Sequence, residues 1–487
     1  MQEKVIEIKS ISYNFIMNII LKISQIIFPL ITLPYVTRVL TAHDIGEVSF
    51  WLSFINYFCV FAQLGIPTYG IRACAKYRDN KEKLSKTVQE IMIINSVSVF
   101  IAYIMLFICV INSARLQENM QLLFIDAGMI ALNSFGVEWF YQAIEQYQYI
   151  TMRNIIFKII SLILMFLLVR NQSDYLIYGF LTIFSSVGAN ILNLWNIRKY
   201  VNFKKYSDYN ISSHIKPIFV FFGLTVAVSI YANMDTVMLG FMSTTQEVAY
   251  YNLSTKVKLI LAQMITALGP VLLPRMSNYI AKGKQKEYIE LLKKSYNFVL
   301  IVVFPLVIFF IMQAPQVVLI LGGEQYKETY TCMRIITLSL FAICIGNIAC
   351  VQILAPNEME FKTMISTICG AVINLGVNYI LIPYYGACGT AIGTVITEFV
   401  VCAMQIYFAR DKFKLLFRSV SVYKIIIASS IMLLCIYGLN CILNIGLFIN
   451  FLIIGIASFG MYFITLIFLR ENLLCDSIKK VRSYLKM

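Results

Sequence analysis

The sequence predicts an all-α polytopic membrane protein with about fourteen transmembrane helices. Three observations carry that expectation. The 487 residues are 59% hydrophobic and 13% charged, with a mean hydropathy of +0.76, whereas soluble domains average roughly 45–50% apolar and about 25% charged residues. Long apolar runs recur between charged or turn-rich breaks. The 40 Lys and Arg outnumber the 25 Asp and Glu, and they fall on alternate breaks. A soluble fold of this length still leaves roughly a quarter of its chain's surface in water, so lipid is the solvent this composition requires. Disorder, a collagen-like fibre and a disulfide-stapled secreted module are excluded by the same figures.

A bilayer core takes about 20 apolar residues per helix. By that measure the first half places spans near 12–38, 46–66, 88–112, 120–142, 154–170 and 175–197. Six more follow near 217–241, 248–274, 296–314, 328–354, 362–383 and 387–409, and two last ones near 423–441 and 446–469. The first run follows MQEKVIEIKS and is longer than a signal-peptide core, so it is expected to be a retained span. Asp126 and Glu138 interrupt the fourth span, and Lys256 and Lys258 the eighth.

With a cytoplasmic N-terminus, the inside segments are 1–11, 67–87, 143–153, 198–216, 275–295, 355–362, 410–424 and 470–487. They hold 31 of the 40 basic residues. The outside segments hold four, Arg38, Arg115, Arg170 and Lys327, and the spans hold Lys22, Lys158, Lys256, Lys258 and Arg334. That asymmetry is a positive-inside signal, and it places both termini in the cytoplasm. The formal charge of +15 is thereby a topology signal, and no nucleic-acid partner is expected. The longest loops have about 20 residues, too few to fold as catalytic domains, so the chain is not expected to be an enzyme. The twelve cysteines form no CxxC pair and read as small buried apolar groups; no metal or cofactor is expected beyond H⁺ or Na⁺ as a coupling ion.

Gly136-Val-Glu-Trp-Phe-Tyr-Gln142 is echoed by Gly346-Asn-Ile-Ala-Cys-Val-Gln352, Tyr149-Ile-Thr-Met by Phe361-Lys-Thr-Met, and Leu64-Gly65 by Leu268-Gly269. The offsets of 210, 212 and 204 residues suggest two homologous six-helix lobes, 1–205 and 210–410. Two additional helices and a tail occupy 411–487. An even number of spans per repeat makes the repeats parallel, an arrangement found in some secondary transporters.

Ionisable groups at membrane depth cost roughly 2.5–3.5 kcal/mol each on insertion scales and are expected to face a cavity or a partner. Lys22, Lys256 and Lys258 are the candidate cavity cations, and Asp235 and Glu398 are the candidates for ion coupling. Lys258 with Asp235, or Lys22 with Glu398, would instead neutralise each other as structural pairs. Lys158 and Glu138 lie near inner span ends, where snorkelling is the alternative. Arg72 belongs to a basic stretch that could hold anionic headgroups, although positive-inside topology alone also explains it. Tyr141 and Gln142, in the aromatic run from Trp139 to Tyr149, suit either sugar contacts or an interfacial belt.

The stretches Leu33-Pro34-Tyr35-Val36-Thr37-Arg38-Val39-Leu40, Leu64-Gly65 and Tyr69-Gly70-Ile71-Arg72 resemble the first repeat of Wzx-type polysaccharide repeat-unit flippases. So does Glu138-Trp139-Phe140-Tyr141-Gln142-Ala143 with Glu145, Tyr147, Tyr149 and Arg153-Asn154. In the second half Asp235 through Gly240, Tyr250-Tyr251, Lys256, Leu321-Gly322-Gly323 with Tyr326, and Gln352 with Pro356 fit the same pattern. The resemblance implies the multidrug/oligosaccharidyl-lipid/polysaccharide exporter superfamily, in which two six-helix lobes face each other in a V-shaped, MATE-like fold. It also implies an undecaprenyl-diphosphate-linked oligosaccharide as substrate, moved across a bacterial inner membrane for O-antigen, capsule or exopolysaccharide assembly. Membrane lipids, a polysaccharide polymerase and a chain-length regulator are the implied partners. On that reading Lys22, Lys256 and Lys258 meet the diphosphate, and Tyr35, Tyr231, Glu138, Tyr141, Gln142 and Arg72 meet sugars or the headgroup. A lipid II-type or sporulation flippase, and a cation-coupled multidrug exporter, share the superfamily. A mid-span lysine in place of an acid at position 22 favours an anionic substrate over cationic drugs.

Overall fold

A computed structural model describes residues 9–417, 421–471 and 474. The basic stretches within 1–8, 418–420 and 475–487, including Arg418, lie outside the described residues. All regular structure among the described residues is helical, as required of a chain whose backbone must satisfy its own hydrogen bonds in lipid. Contacts divide the chain into two compact units, Met1–Ala249 and Tyr250–Met487.

In the first unit α1 (Ile11–Val39), α2 (Ala42–Gln63), α3 (Ile66–Lys76) and α4 (Lys81–Ile111) follow in order, then a short outer turn α5 (Ala114–Gln117). Side chains before the apolar runs start the helices: the backbone N–H groups of Tyr13, Asp44 and Lys83 donate to the side-chain oxygens of Ser10, Thr41 and Asn80. α6 (Met120–Phe135) and α7 (Glu138–Ala143) share the fourth span, and α8 (Tyr147–Leu168) makes the fifth. The sixth is built of α9 (Tyr175–Ile183), a π-helical stretch Phe184–Gly188, and α10 (Asn190–Asn196). α11 (Ser212–Met242) packs on α2 and α3 and is part of this unit.

The segment 67–87, read from sequence as a loop, begins with a helix. α3 continues the second span at an angle set by Leu64, whose φ is +48°, and it buries Ile66, Gly70 and Cys74 at helical spacing. The stretch between α10 and α11 lies along α4. Gln89 donates to the carbonyls of Asn202 and Lys204, the Asn202 N–H donates to Ser85 Oγ, and Lys86 Nζ donates to Asp208 at 2.8 Å. The lysine holds the exposed Asp208 carboxyl below its ordinary range.

In the second unit α12 (Thr245–Thr266), which begins in the first, leads through α13 (Leu268–Ala281) to α14 (Gln285–Met312) and α15 (Ala314–Gly322). α16 (Thr329–Thr337), α17 (Ser339–Asn347) and the π-helical Ile348–Leu354 complete the tenth span. α18 (Glu360–Phe408) has 49 residues, roughly 70 Å if straight and twice a bilayer core. It is not straight. Gly386 takes φ +49° and ψ −126° and turns the chain back between the two spans read from the sequence. A Cβ at Gly389 would stand 2.5 Å from the Leu381 carbonyl oxygen, and one at Gly393 2.2 Å from Asn378 Oδ1, so the two arms pack against each other through missing side chains. Among the described residues twelve helices are long and apolar enough to cross a membrane, thirteen with the bent α11, and the turn at Gly386 divides α18 into two arms, which brings the count to fourteen. A short α19 (Arg410–Phe417) leads to α20 (Val422–Ile442) and α21 (Leu447–Phe468), which pair with each other. α21 is fixed to α14 by the Tyr462 hydroxyl, which donates to the Ile301 carbonyl at 2.9 Å.

Candidate functional site

The first unit contains a polar cleft of about 570 Å³. Its walls are built where apolar helices are interrupted. α6 stops at Phe135, and Val137 adopts the left-handed region with φ +40°, a conformation that a β-branched residue enters only when its surroundings impose it. The turn directs α7 so that Glu138, Trp139 and Gln142 line the cleft. A helix broken in lipid leaves carbonyls that need donors, and buried amides supply them. Asn190 Nδ2 donates to Leu132, Asn95 Nδ2 to Ser134 at 2.6 Å, and Asn193 Nδ2 to Gly136. Gly136 itself permits this, because a Cβ there would stand 2.4 Å from the Asn190 side chain. Opposite, the π-helical stretch of the sixth span brings Ser185 and Ser186 to the wall.

α1 contributes Gln25, Phe28 and Pro29; the end of α2 and the start of α3 contribute Gln63 and Thr68; α8 contributes Asn154 and Lys158. Lys158 Nζ donates to Ser24 Oγ at 3.0 Å. Glu138 accepts from Arg153 at 2.8 Å, and Arg153, 3% exposed, also donates to the Ala189 carbonyl. The polar part of the cleft wall is therefore amides and hydroxyls with one lysine and one arginine-paired carboxylate, set among apolar residues such as Leu21, Phe28, Pro67 and Ile71. Such a lining can bind hydroxyl-rich or anionic groups through oriented donors and acceptors. Among the described residues no group of His, Cys, Asp and Glu gathers that could hold a metal ion.

Of the residues nominated from sequence, Glu138 and Gln142 line this cleft. Lys22 is exposed on α1; seven residues before Pro29, it shares that residue's helical face. Arg72 is exposed on α3, beside the lining residue Ile71. Tyr141 is fully buried and its hydroxyl donates to the Asn193 carbonyl at 3.0 Å. The Tyr35 hydroxyl donates to the Val169 carbonyl at 2.7 Å, and its ring meets Phe166 edge-on. Both tyrosine hydroxyls are thus occupied in holding helices together. Tyr231 is half-buried and Asp235 buried on α11. In the second unit Lys256 is half-buried and Lys258 buried on α12, and Glu398 is half-buried on the second arm of α18.

The sequence reading counted charges and missed the neutral amides Gln25, Gln63, Asn133, Asn154 and Asn190, all of which line the cleft. Their signal was present: each is an amide in or at the end of an otherwise apolar run, where an unpaired polar group is costly. Lys158, for which the sequence leaves snorkelling as an alternative to a cavity, stands on the cleft wall.

Comparison with known proteins now adds to the geometry. The profile of the family described as "Polysaccharide biosynthesis protein" matches residues 11–280, more than half of the chain. A candidate O-antigen transporter of Escherichia coli (strain K12) is 22% identical over 404 residues, covering 82% of this chain and 97% of that protein. Among solved structures, the lipid II flippase MurJ in an inward closed conformation superimposes with a TM-score of 0.72 at 17% identity, covering 94% of this chain and 99% of that one. An inward-facing MATE-family multidrug transporter gives 0.53 at 16% identity, covering 80% and 96%. These likenesses show the fold, which is the MATE-like one expected from sequence. With its many apolar spans, the chain is a multi-pass membrane protein, and it belongs to the polysaccharide biosynthesis protein family.

Proposed function

We propose that the chain is a flippase for a lipid-linked oligosaccharide, carrying an undecaprenyl-diphosphate-linked repeat unit from the cytoplasmic to the outer leaflet during assembly of a surface polysaccharide. The observation that carries the reading is the cleft, where amides, hydroxyls and a lysine gather among helices built of apolar runs. A sugar-bearing diphosphate cannot cross hydrocarbon unaided, because stripping water from its charges and hydroxyls is prohibitively costly. A polar enclosure replaces that water while the polyprenyl tail stays in lipid. Family membership and the similarity to the E. coli protein support the same substrate class. In this reading the chain works by alternating access and performs no covalent chemistry. Lys22, Lys256 and Lys258 are the cations assigned to the diphosphate, and Asp235 and Glu398 are the carboxylates assigned to proton or sodium coupling. The product in the outer leaflet is the substrate that a polymerase and a chain-length regulator need.

Removing the chain from its cell tests this directly. Surface polysaccharide should fall severalfold or more while oligosaccharide-loaded carrier lipid accumulates, and expression of the full chain should reverse both. Unchanged surface polysaccharide and unchanged carrier-lipid pools, in a cell with no second copy of such a transporter, would contradict the proposal.

A further inference from the structure

Lys158 is the one basic side chain among the residues lining the first-unit cleft. Its hydrogen-bond partner is a neutral hydroxyl, that of Ser24, and among the described residues no carboxylate lies within ion-pair distance. The acid of the same cleft, Glu138, is already engaged by Arg153 at 2.8 Å. One helical turn before Lys158, Asn154 lines the cleft as well. It is 9% exposed, and its amide makes no hydrogen bond to any described residue. Gln25 of α1, exposed, and Gln63 of α2, half-buried, also line the cleft with amides that make no hydrogen bond to a described residue.

The Lys158 ammonium, held only by a neutral hydroxyl, and the Asn154 amide both reach the cleft with hydrogen-bonding capacity that a ligand can complete. Residues 154 and 158 share one face of α8, and Gln25 stands one position beyond Ser24, the residue that holds Lys158. Together they present an ammonium group with amide donors and acceptors around it. That set suits an oxyanion attached to a hydroxyl-bearing ring.

We propose that Lys158, Asn154 and Gln25 form an oxyanion subsite within the first unit that binds the charged part of the glycolipid headgroup. This assignment rests on the flippase reading and deepens it. The oxyanion has two chemical sources, the diphosphate that joins lipid to sugar and the carboxylate of an acidic sugar. Lys158 holds the charge, Asn154 and Gln25 bond the adjacent hydroxyls or amide groups, and the rings of Phe28 and Trp139 supply apolar faces for the sugar.

The test is equilibrium binding to the full-length protein in lipid nanodiscs, using three probes. They are undecaprenyl diphosphate, undecaprenyl-diphosphate N-acetylglucosamine, and undecaprenyl diphosphate bearing a disaccharide with a uronic acid. Lys158→Gln is expected to weaken binding at least tenfold, and Lys158→Arg to retain most of it, since a charge-assisted hydrogen bond is at stake. Loss across all three probes identifies the diphosphate as the oxyanion; loss confined to the third identifies the acidic sugar. Unchanged affinity of Lys158→Gln for all three overturns the subsite and leaves the flippase reading standing. A wild-type protein that binds none of them overturns that reading and the subsite with it. Should Lys158→Gln fail to fold, Asn154→Ala, which keeps the charge, is expected to weaken the sugar-bearing probes severalfold, and unchanged affinity there overturns the subsite equally.

Discussion

Glu138→Ala should lower the stability of the protein by about 3 kcal/mol, because it leaves the buried Arg153 guanidinium without its counter-charge. Arg153 is 3% exposed, and its remaining contacts are the Ala189 carbonyl at 3.3 Å and the face of Tyr149, 5.8 Å from the ring centroid. Neither neutralises a charge. Its Nε already has no hydrogen-bond partner, so the Glu138 carboxylate carries most of the compensation. Glu138 keeps about a third of its side chain exposed, which sets the expectation at the lower end of the range for breaking a buried pair. Thermal unfolding in detergent checks it. Arg153→Met combined with Glu138→Ala should be more stable than Glu138→Ala alone, since the orphaned charge is gone. If the two single losses simply add in the double variant, the pair is not coupled.

Gly46→Ala should be comparably damaging, with a loss of about 3 kcal/mol, although it adds a single methyl group. A Cβ at Gly46 would stand 1.8 Å from the carbonyl oxygen of Thr245 and 2.7 Å from its carbonyl carbon. Those are backbone atoms that cannot rotate away, so α2 and the segment at Thr245 must separate. The contact is reciprocal one turn along: Gly240 receives the ring of Phe50, to which a Cβ would approach within 2.1 Å. Missing side chains on both partners let the helices meet, and lipid offers no hydrophobic compensation once they part. Gly128, on α6, has nothing within 4 Å of its absent Cβ, so Gly128→Ala should cost nothing measurable. Equal unfolding temperatures for the Gly46 and Gly128 variants would contradict this account of the packing.

Much of this architecture was legible in the sequence, for a physical reason. A backbone in lipid can do little but form helices of bilayer length, so apolar runs and their breaks report the spans directly. The turn at Gly386 falls in the gap between the two runs read at 362–383 and 387–409, and the break before Glu138 was visible as a charge inside a span. What could not be read was direction. Spans that are apolar on every side carry no periodic signal of which face is inward, so the depth of Lys22 and Lys158 could be judged but not the cavity each one faces. Tyr35 and Tyr141 looked free to meet sugars because the carbonyls that accept their hydroxyls, Val169 and Asn193, are 134 and 52 positions away. The cleft itself depends on interruptions, the left-handed Val137 and the π-helical Phe184–Gly188, and neither residue type announces them.

As a flippase, this chain should move a sugar-bearing lipid between leaflets. The most direct measurement reconstitutes the full-length protein into vesicles containing a fluorescent undecaprenyl-diphosphate oligosaccharide and follows the fraction protected from a membrane-impermeant quencher, with and without a proton or sodium gradient. Wild-type protein should collapse the protected fraction, faster under one of the gradients, and Asp235→Asn or Glu398→Gln should remove that gradient's effect. A protected fraction that stays the same as in protein-free vesicles under every gradient, from protein shown to be folded and inserted, would contradict the claim.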